Sequence, residues 1–395
     1  DCKEIINKNN KMKIGMVFPA VEYGGQEKNL ILLSNELHKN KYEVEVLSYG
    51  TKKFSTNKLD SNIQRINLEP RGYKYFIINF ILSLVTKGML NIYLKSLIKI
   101  FGYLLNNKYK VLICFQAGGL ISILKVITKS KTKIIIREST SPIQMSKLQK
   151  SILPFSIKVK IKKILYKYSD TIVANSSGTK EEINHLLKTK KAITIENICD
   201  YSNLKIEKNA NFHPLFKKAS YKLITVGRLN QTKRVDIIIK AVKEILLHKN
   251  IELIIVGEGP EKLKLMKLAK DINISKKVHF IGFSNEVHKW IVNSDIYISA
   301  SIVEGSPNSI IESVCLGTPV IAADCNHGPK EILDDGKIGI LVPINNIEEI
   351  ILNTKSLLSD KELELLPHPD RTSYAYGDTL KKIGMLFPTP PSLER

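Results

Sequence analysis

The sequence has no C-x-x-C pair. Its five cysteines, Cys2, Cys114, Cys199, Cys315 and Cys325, are odd in number and scattered, which argues against a disulfide framework and against a structural zinc site, and fits a reducing cytoplasm. No D-x-D pair occurs, so one common way of holding a metal–diphosphate complex is missing. The histidines show no metal-ligand spacing, and no metal or cofactor is expected. The uninterrupted apolar runs fall short of the ~18–20 residues of a membrane-spanning helix: the nearest, FIINFILSLV (76–85), is too short, and the next, MLNIYLKSLIKIFGYLL, carries Lys95 and Lys99. The polar start DCKEIINKNNK has no apolar segment of the kind that directs secretion, and residues 1–11 are expected to be a leader or disordered, outside the fold.

What the chain does have is length and positive charge. With 395 residues it exceeds a single core, which stops growing near ~250–300 residues, so two domains are expected. The hydrophobic fraction of 43% and the charged fraction of 25% are ordinary for a globular protein. Sixty Lys and Arg against 38 Asp and Glu give a formal charge of +22. Two readings account for it: anionic partners (nucleic acid, a membrane surface, anionic substrates), or a bias toward Lys, Ile and Asn throughout the chain.

Short apolar, β-branched runs alternate with helical patterns. KIGMVFPA, EVEVLSY, VLICF (111–115), KIIIRE (133–138), TIVANS (171–176) and AITIEN (192–197) read as strands, with a helix NLILLSNELHKN after the first. After an aperiodic stretch (201–218) that reads as a linker, the alternation restarts with YKLITVG, IELIIVG, KVHFIGF, DIYISAS and PVIAAD. Continuous apolar strands in β–α alternation predict parallel sheets covered on both faces. The expected organisation is a first α/β domain over 12–200, a linker over 201–218, a second α/β domain over 219–366 and an irregular tail over 367–395 that packs back on the first domain.

Three loops carry candidate chemistry. In EGSPNSIIESVCLGTPVIAADC (304–325), Ser306 reads as the N-cap and Pro307 as the first residue of a helix that Gly317 and Pro319 end. Ile310, Ile311, Val314 and Cys315 form its apolar stripe and Glu312 lies off it. The helix N-terminus suits phosphate. Carboxylates flanking it, Glu304 and Glu312, suit sugar hydroxyls, and together they fit a nucleotide sugar. Equally, Glu304 could favour the helix dipole and Glu312 pair with a lysine. In VGRLNQTKRVD (226–236), Arg228 and Lys233 could clamp a diphosphate or simply decorate a loop; only seven of the 60 basic residues are Arg, which singles out Arg228. EYGGQEK (22–28) offers Gly24 and Gly25 for close backbone approach or for a tight turn. VGEGPEKLK has Gly257 and Gly259 but Lys at 262, so a G-x-G-x-x-G dinucleotide fingerprint is incomplete. His327, in CNHGPKE, reads as a loop histidine rather than a base.

Basic amphipathic stretches at 71–110 and 147–168 suit a membrane interface or an ordinary helix with a solvated lysine face. Nucleic acid is not expected, because the aromatics at 73–80 fall on helical spacing rather than forming a stacking platform.

GGQEKNL, VGRLNQTKRVD, LIIVGEGPEKLKL, VHFIGF and EGSPNSIIESVCLGTPVIAADCNHGPKEI, in this order over residues 12–355, resemble the group 1 (family 4) retaining glycosyltransferases of the GT-B fold, and the ADCNHGPKEIL ending resembles the subgroup that builds bacterial surface polysaccharides and lipid-linked oligosaccharides. The resemblance implies two Rossmann-like parallel-sheet domains facing each other across a cleft. It implies transfer of a sugar, with retention, from a UDP-hexose or UDP-N-acetylhexosamine to a lipid-linked or polysaccharide acceptor, by an enzyme peripheral to the cytoplasmic face of an anionic membrane. Carried over by residue, Glu312 would bind the donor ribose, Glu304 the transferred sugar, and Arg228 and Lys233 the diphosphate. Backbone N–H groups over Ser306, Pro307, Asn308 and Ser309 would assist. Gly24 and Gly25 would approach the phosphates or acceptor from the first domain, and the base would lie near Gly282 and Phe283. Ser306 departs from the family, where a bulky residue is common; Glu138 is a positional candidate for the acceptor side; and the tail departs from the family's long closing helix. The alternatives are a GT-B UDP-sugar epimerase or a phosphorylase and, more distantly, a basic nucleic-acid-binding protein.

Overall fold

The computed structural model describes residues 12–19, 24–49, 58–68, 94–115, 117–148, 154–197, 199 and 207–359. The expectations for residues 1–11, the 71–93 part of the first basic stretch, residues 201–206 and the tail fall outside these. The described residues divide between Ile195 and Glu196 into two compact units.

The first unit runs β1 (Lys13–Pro19), α1 (Gly25–Lys39), β2 (Glu43–Tyr49), β3 (Gln64–Asn67), α2 (Leu94–Leu105), β4 (Val111–Phe115), α3 (Gly118–Thr128), β5 (Lys133–Glu138), α4 (Pro142–Leu148), α5 (Phe155–Lys167), β6 (Thr171–Ala174), α6 (Ser177–Leu187) and β7 (Ala192–Thr194). Its strands form one parallel sheet in the order β3-β2-β1-β4-β5-β6-β7.

The second unit runs β8 (Tyr221–Val226), α7 (Val235–Ile245), β9 (Ile251–Val256), α8 (Lys262–Asp271), β10 (Val278–Gly282), α9 (Val287–Val292), β11 (Ile296–Ser299), α10 (Asn308–Leu316), β12 (Val320–Ala323), α11 (Pro329–Ile332), β13 (Ile340–Val342) and α12 (Ile347–Ser359). Its parallel sheet has the order β10-β9-β8-β11-β12-β13.

The central positions of most strands are apolar on both sides because both faces of the sheet are covered. In the second sheet, Leu223, Leu253, Ile296 and Ile321 enter a core shared with α7, α8 and α12. Their neighbours Ile224, Ile254, Tyr297 and Ala322 enter another shared with α9 and α10. The first sheet divides the same way, with Met16, Val46 and Ile113 under α1 and Val17, Leu47 and Leu112 under α2 and α3. Two strands escape the sequence pattern. β3 reads QRIN and is mostly exposed, and β13 has three residues; both lie at sheet edges.

Three local readings need correction. The helix after β1 starts at Gly25, not at Asn29, so Gly24 and Gly25 are its N-cap and first residue. Gly24 has φ −166°, extended backbone that any residue adopts. The stretch read as linker holds, from residue 207 on, two 3-10 turns, Ala210–Phe212 and Pro214–Lys217. Phe212, His213 and Phe216 from these turns pack around Trp290 of α9, so that part belongs to the second unit. Finally, α10 starts at Asn308 with Pro307 in the cap position, and no side chain caps it. Ser306 is therefore outside the helix rather than its N-cap.

Candidate active site

Each sheet reverses its strand order once, between β1 and β4 in the first unit and between β8 and β11 in the second. Such a switch point splays the two following loops apart and leaves a crevice at the C-terminal strand ends, where ligands of open α/β sheets bind. In the second unit, the segments after these strands are 227–234 and 300–307. They carry Arg228, Lys233 and Glu304, and the second leads directly into α10 with Glu312.

The loops are stitched together by main-chain hydrogen bonds. Gly227 N–H donates to Val256 C=O (3.0 Å), Leu229 N–H to Glu258 C=O (2.9 Å) and Gly257 N–H to Gly282 C=O (2.8 Å). Across the switch point, Ile302 N–H donates to Thr232 C=O (2.9 Å). This explains the G-x-G of VGEGP without a nucleotide: Gly257 has φ +146°, and a Cβ there would overlap the Gly227 carbonyl, as one at Gly259 would overlap that of Leu229. The G-x-G spacing is a demand for backbone contact. Gly328 plays the same part on the other side, with φ +75° and room only for hydrogen, since a Cβ would stand 2.5 Å from the Gly305 carbonyl. His327, beside it, is also left-handed (φ 70°) and belongs to this loop.

The predicted side chains separate sharply. Lys233 and Glu304 come together as an ion pair, Nζ to Oε1, with Glu304 7% exposed. The Asn230 carboxamide places the lysine by accepting from Lys233 N–H (3.2 Å). Lys233 also lines a small pocket with Thr225, Ser299 and Ser301, beneath the switch point. Arg228 is exposed in the same loop, and among the described residues its guanidinium has no hydrogen-bond or ion-pair partner. Arg234, in the same motif, is committed elsewhere: it grips Asp236 through two bonds, Nε to Oδ1 (3.0 Å) and a terminal nitrogen to Oδ2 (3.1 Å), and reaches Asn345. Arg228 is thus the arginine available to a ligand.

Glu312 is 7% exposed, and α10 is buried along Ile310–Cys315, so its carboxylate does not sit on a solvated face. Ser309 is engaged through its side chain, accepting from Tyr297 Oη (2.7 Å). Ser306 and Asn308 are held by a residue that sequence reading passed over. Asn197, 4% exposed, donates through Nδ2 to the Ser306 carbonyl (2.7 Å) and to Asn308 Oδ1 (2.8 Å). Tyr297 and Cys325 were also missed. Burial, together with the charges of Glu304 and Glu312, raises the Tyr297 phenol far above its usual range. Burial, reinforced by Glu304, pushes the Cys325 thiol up to about 12, so it is no nucleophile at neutral pH. Gly282 ends β10 and Phe283 follows it, half exposed, at the same sheet edge but two strands from β8. Gly24 and Gly25 stand in the first unit at the N-terminus of α1, beside that unit's own switch point. The glycines at 118 and 119, at the start of α3, share that switch point and were not singled out. Glu138 ends β5 and accepts from the Tyr166 hydroxyl.

Comparison with known proteins supplies the family. Residues 207–373 match the model of glycosyl transferases group 1. The chain is 30% identical over 301 residues to an uncharacterized glycosyltransferase of Methanocaldococcus jannaschii, covering 68% of this chain and 73% of that one. It is 29% identical over 236 residues to the N-acetylgalactosamine-N,N'-diacetylbacillosaminyl-diphospho-undecaprenol 4-alpha-N-acetylgalactosaminyltransferase of Campylobacter jejuni, covering 59% of this chain and 62% of that enzyme. The structure of Anabaena HepE in complex with UDP and glucose superposes with a TM-score of 0.76 at 15% identity, over 95% of this chain and 99% of that one; it speaks to the fold. The chain belongs to the group 1 glycosyltransferases, and its fold is of the GT-B kind.

Proposed function

We propose that the protein transfers a sugar, with retention at the anomeric carbon, from a UDP-sugar to a lipid-linked or polysaccharide acceptor in bacterial cell-surface glycan synthesis. The observation that carries this is the convergence of an uncommitted Arg228, the Lys233–Glu304 pair and the start of α10 at one switch point. Arg228, Lys233 and the helix N-terminus meet the diphosphate. Glu304 and Glu312 accept from hydroxyls of the transferred sugar and the ribose. The Campylobacter relative, whose name specifies a diphospho-undecaprenol-linked substrate, supports a lipid-borne acceptor and hence a place at the cytoplasmic face of an anionic membrane.

In the reaction the bond from the anomeric carbon to the diphosphate oxygen breaks, and a bond to an acceptor hydroxyl oxygen forms on the same face. Negative charge grows on the departing diphosphate, whose leaving oxygen takes up the proton that the acceptor hydroxyl gives up. Cationic groups fixed before the reaction stabilise that charge more in the transition state than in the ground state, which is what accelerates the step. Lys233 enters this role already held against Glu304. A phosphate arriving there must share the ammonium with the carboxylate, leaving Glu304 beside the sugar.

The test is a titration of UDP and UDP-sugars, GDP-sugars beside them, against the purified protein and its Arg228→Met, Lys233→Met and Glu312→Gln variants. UDP binding that weakens at least tenfold in each variant supports the assignment. No binding of any nucleotide or nucleotide sugar, or variants that bind like the parent, overturns it.

A further inference from the structure

The positive charge of this protein is not spread evenly. Residues 70–169 contain 19 basic residues and a single acidic one, Glu138, whereas the remaining 295 residues hold 37 acidic residues. One quarter of the chain therefore carries 18 of the 22 net positive charges, and a uniform lysine bias does not account for it. Glu138 does not dilute the surface, because it ends a strand and accepts from Tyr166.

Three helices of this region lie side by side over one face of the first sheet. α2 and α3 share one core through Ile100, Leu104 and Ile121, and α3 meets α5 where Leu120 and Ile123 pack with Leu165. All three run against parallel strands, so their last turns end at the same sheet edge. None of the three contains an acidic residue. A surface helix ordinarily turns only polar residues outward, but these also turn large apolar ones. Ile98 and Leu105 of α2, Val126 and Ile127 of α3, and Ile157 and Ile164 of α5 are between 41% and 62% exposed, and Tyr168 just past α5 is exposed too. Lys160, Lys163 and Lys167 stand exposed among the apolar residues of α5, and Lys129 and Lys131 follow α3. Lys125 of α3 pairs with Asp170, as Lys262, Lys264 and Lys289 of the second unit pair with Glu258, Glu261 and Glu286.

We propose that the outer face of α2, α3 and α5 docks on an anionic lipid bilayer, with the aliphatic side chains entering the headgroup–acyl boundary and the lysines meeting lipid phosphates. The combination selects the occupant. A second copy of this face would present like charge to like charge. A nucleic acid would use the lysines but would leave Ile127 and Ile164 without a role, since it is bound through phosphate contacts and base stacking. Only a surface with both anionic headgroups and an apolar layer uses both residue types. The choice of a membrane rests on the lipid-borne acceptor proposed above, while the location of the surface stands on these helices alone.

The experiment is sedimentation of the full chain with vesicles of phosphatidylglycerol and phosphatidylcholine, or of phosphatidylcholine alone, with no donor or acceptor present, so that its outcome is independent of UDP titration. Binding to the anionic vesicles that declines with salt is expected. The triple variant Lys160→Ser/Lys163→Ser/Lys167→Ser should partition about 100-fold more weakly, from about fivefold per surface lysine. The double variant Ile127→Ser/Ile164→Ser should lose the binding that persists at high salt. All substituted side chains are exposed, and an unchanged thermal unfolding temperature confirms that folding is intact. The proposal is overturned if the parent ignores anionic vesicles, if the lysine variant binds as the parent does, or if the isoleucine variant is unaffected while polyuridylic acid displaces the vesicles.

Discussion

Replacing Asn197 by Asp changes one NH2 group into an oxygen and leaves the shape almost untouched, so it isolates what the amide does. Asn197 Nδ2 donates to the Ser306 carbonyl and to Asn308 Oδ1, at 2.7 and 2.8 Å, in a buried position. The aspartate would face two acceptors. Asn308 can turn its own carboxamide over and offer Nδ2 instead, which removes half of the conflict. The Ser306 carbonyl cannot turn, because its peptide leads into Pro307 and α10. One buried acceptor left unsatisfied against a carboxylate costs about 2–3 kcal/mol. With a urea dependence of roughly 2 kcal/mol/M for a unit of this size, the unfolding midpoint should fall by roughly 1 M. Trp290 is the sole tryptophan and lies in the core that also holds Ile310 and Ile311 of α10, so its fluorescence reports this unit. The substitution also brings its own pH signature. The folded state favours the protonated acid, which can donate to Ser306, so the folded pKa rises above the unfolded value of about 3.9. The deficit relative to the parent is then smallest below that value, grows as pH rises through the folded pKa, and is constant above it. UDP should bind more weakly as well, since Ser306 and Asn308 form the approach to α10. A variant with the parent's midpoint at pH 7 and the parent's UDP affinity would refute the assignment of Asn197 as a positioning residue.

The two arginines of VGRLNQTKRVD should part company: Arg228→Met should weaken UDP binding at least tenfold with little change in unfolding, and Arg234→Met should lose about 1 kcal/mol of stability with its Asp236 bonds. Equal effects on both measurements would remove the distinction. Gly257→Ala, strained by φ +146° and by overlap with the Gly227 carbonyl, should cost about 3 kcal/mol or more, or prevent folding; a near-neutral result in thermal unfolding would show that the loops are not tightly stitched. Burial alone would raise the Glu252 carboxyl, but His279 at 2.6 Å and Lys277 at 3.2 Å outweigh it and hold its pKa below the ordinary value. Its contribution is present above the unfolded carboxylate pKa and is lost as pH falls through the depressed folded one, so Glu252→Gln should flatten the decline in the Trp290 unfolding midpoint between about pH 5 and pH 3. An unchanged slope would count against it.

Much of the architecture is legible in the sequence for a simple reason. A strand covered on both faces must be apolar at successive positions, and KIGMVFP, VLICF, IELIIV and IYIS are so written that little else could be made of them. Where one face or one edge is left open, that requirement lapses, and QRIN at the edge of the first sheet carries no such signature. The start of α10 illustrates a finer limit. Ser-Pro announces a helix there, but whether the serine caps it or stands one residue outside depends on Asn197 holding the Ser306 carbonyl from 109 residues away.

The sequence by itself determined two parallel α/β units and the loops that carry the candidate site, because periodicity and glycine placement are local and the chain must satisfy them wherever it goes. Only the tertiary structure decided which residues of those loops are available. Arg228 and Arg234 are indistinguishable as letters. The fold commits one to Asp236 and Asn345 and leaves the other exposed at the switch point. It likewise brings Lys233 against Glu304, 71 positions apart, because strand order rather than chain order makes β8 and β11 neighbours.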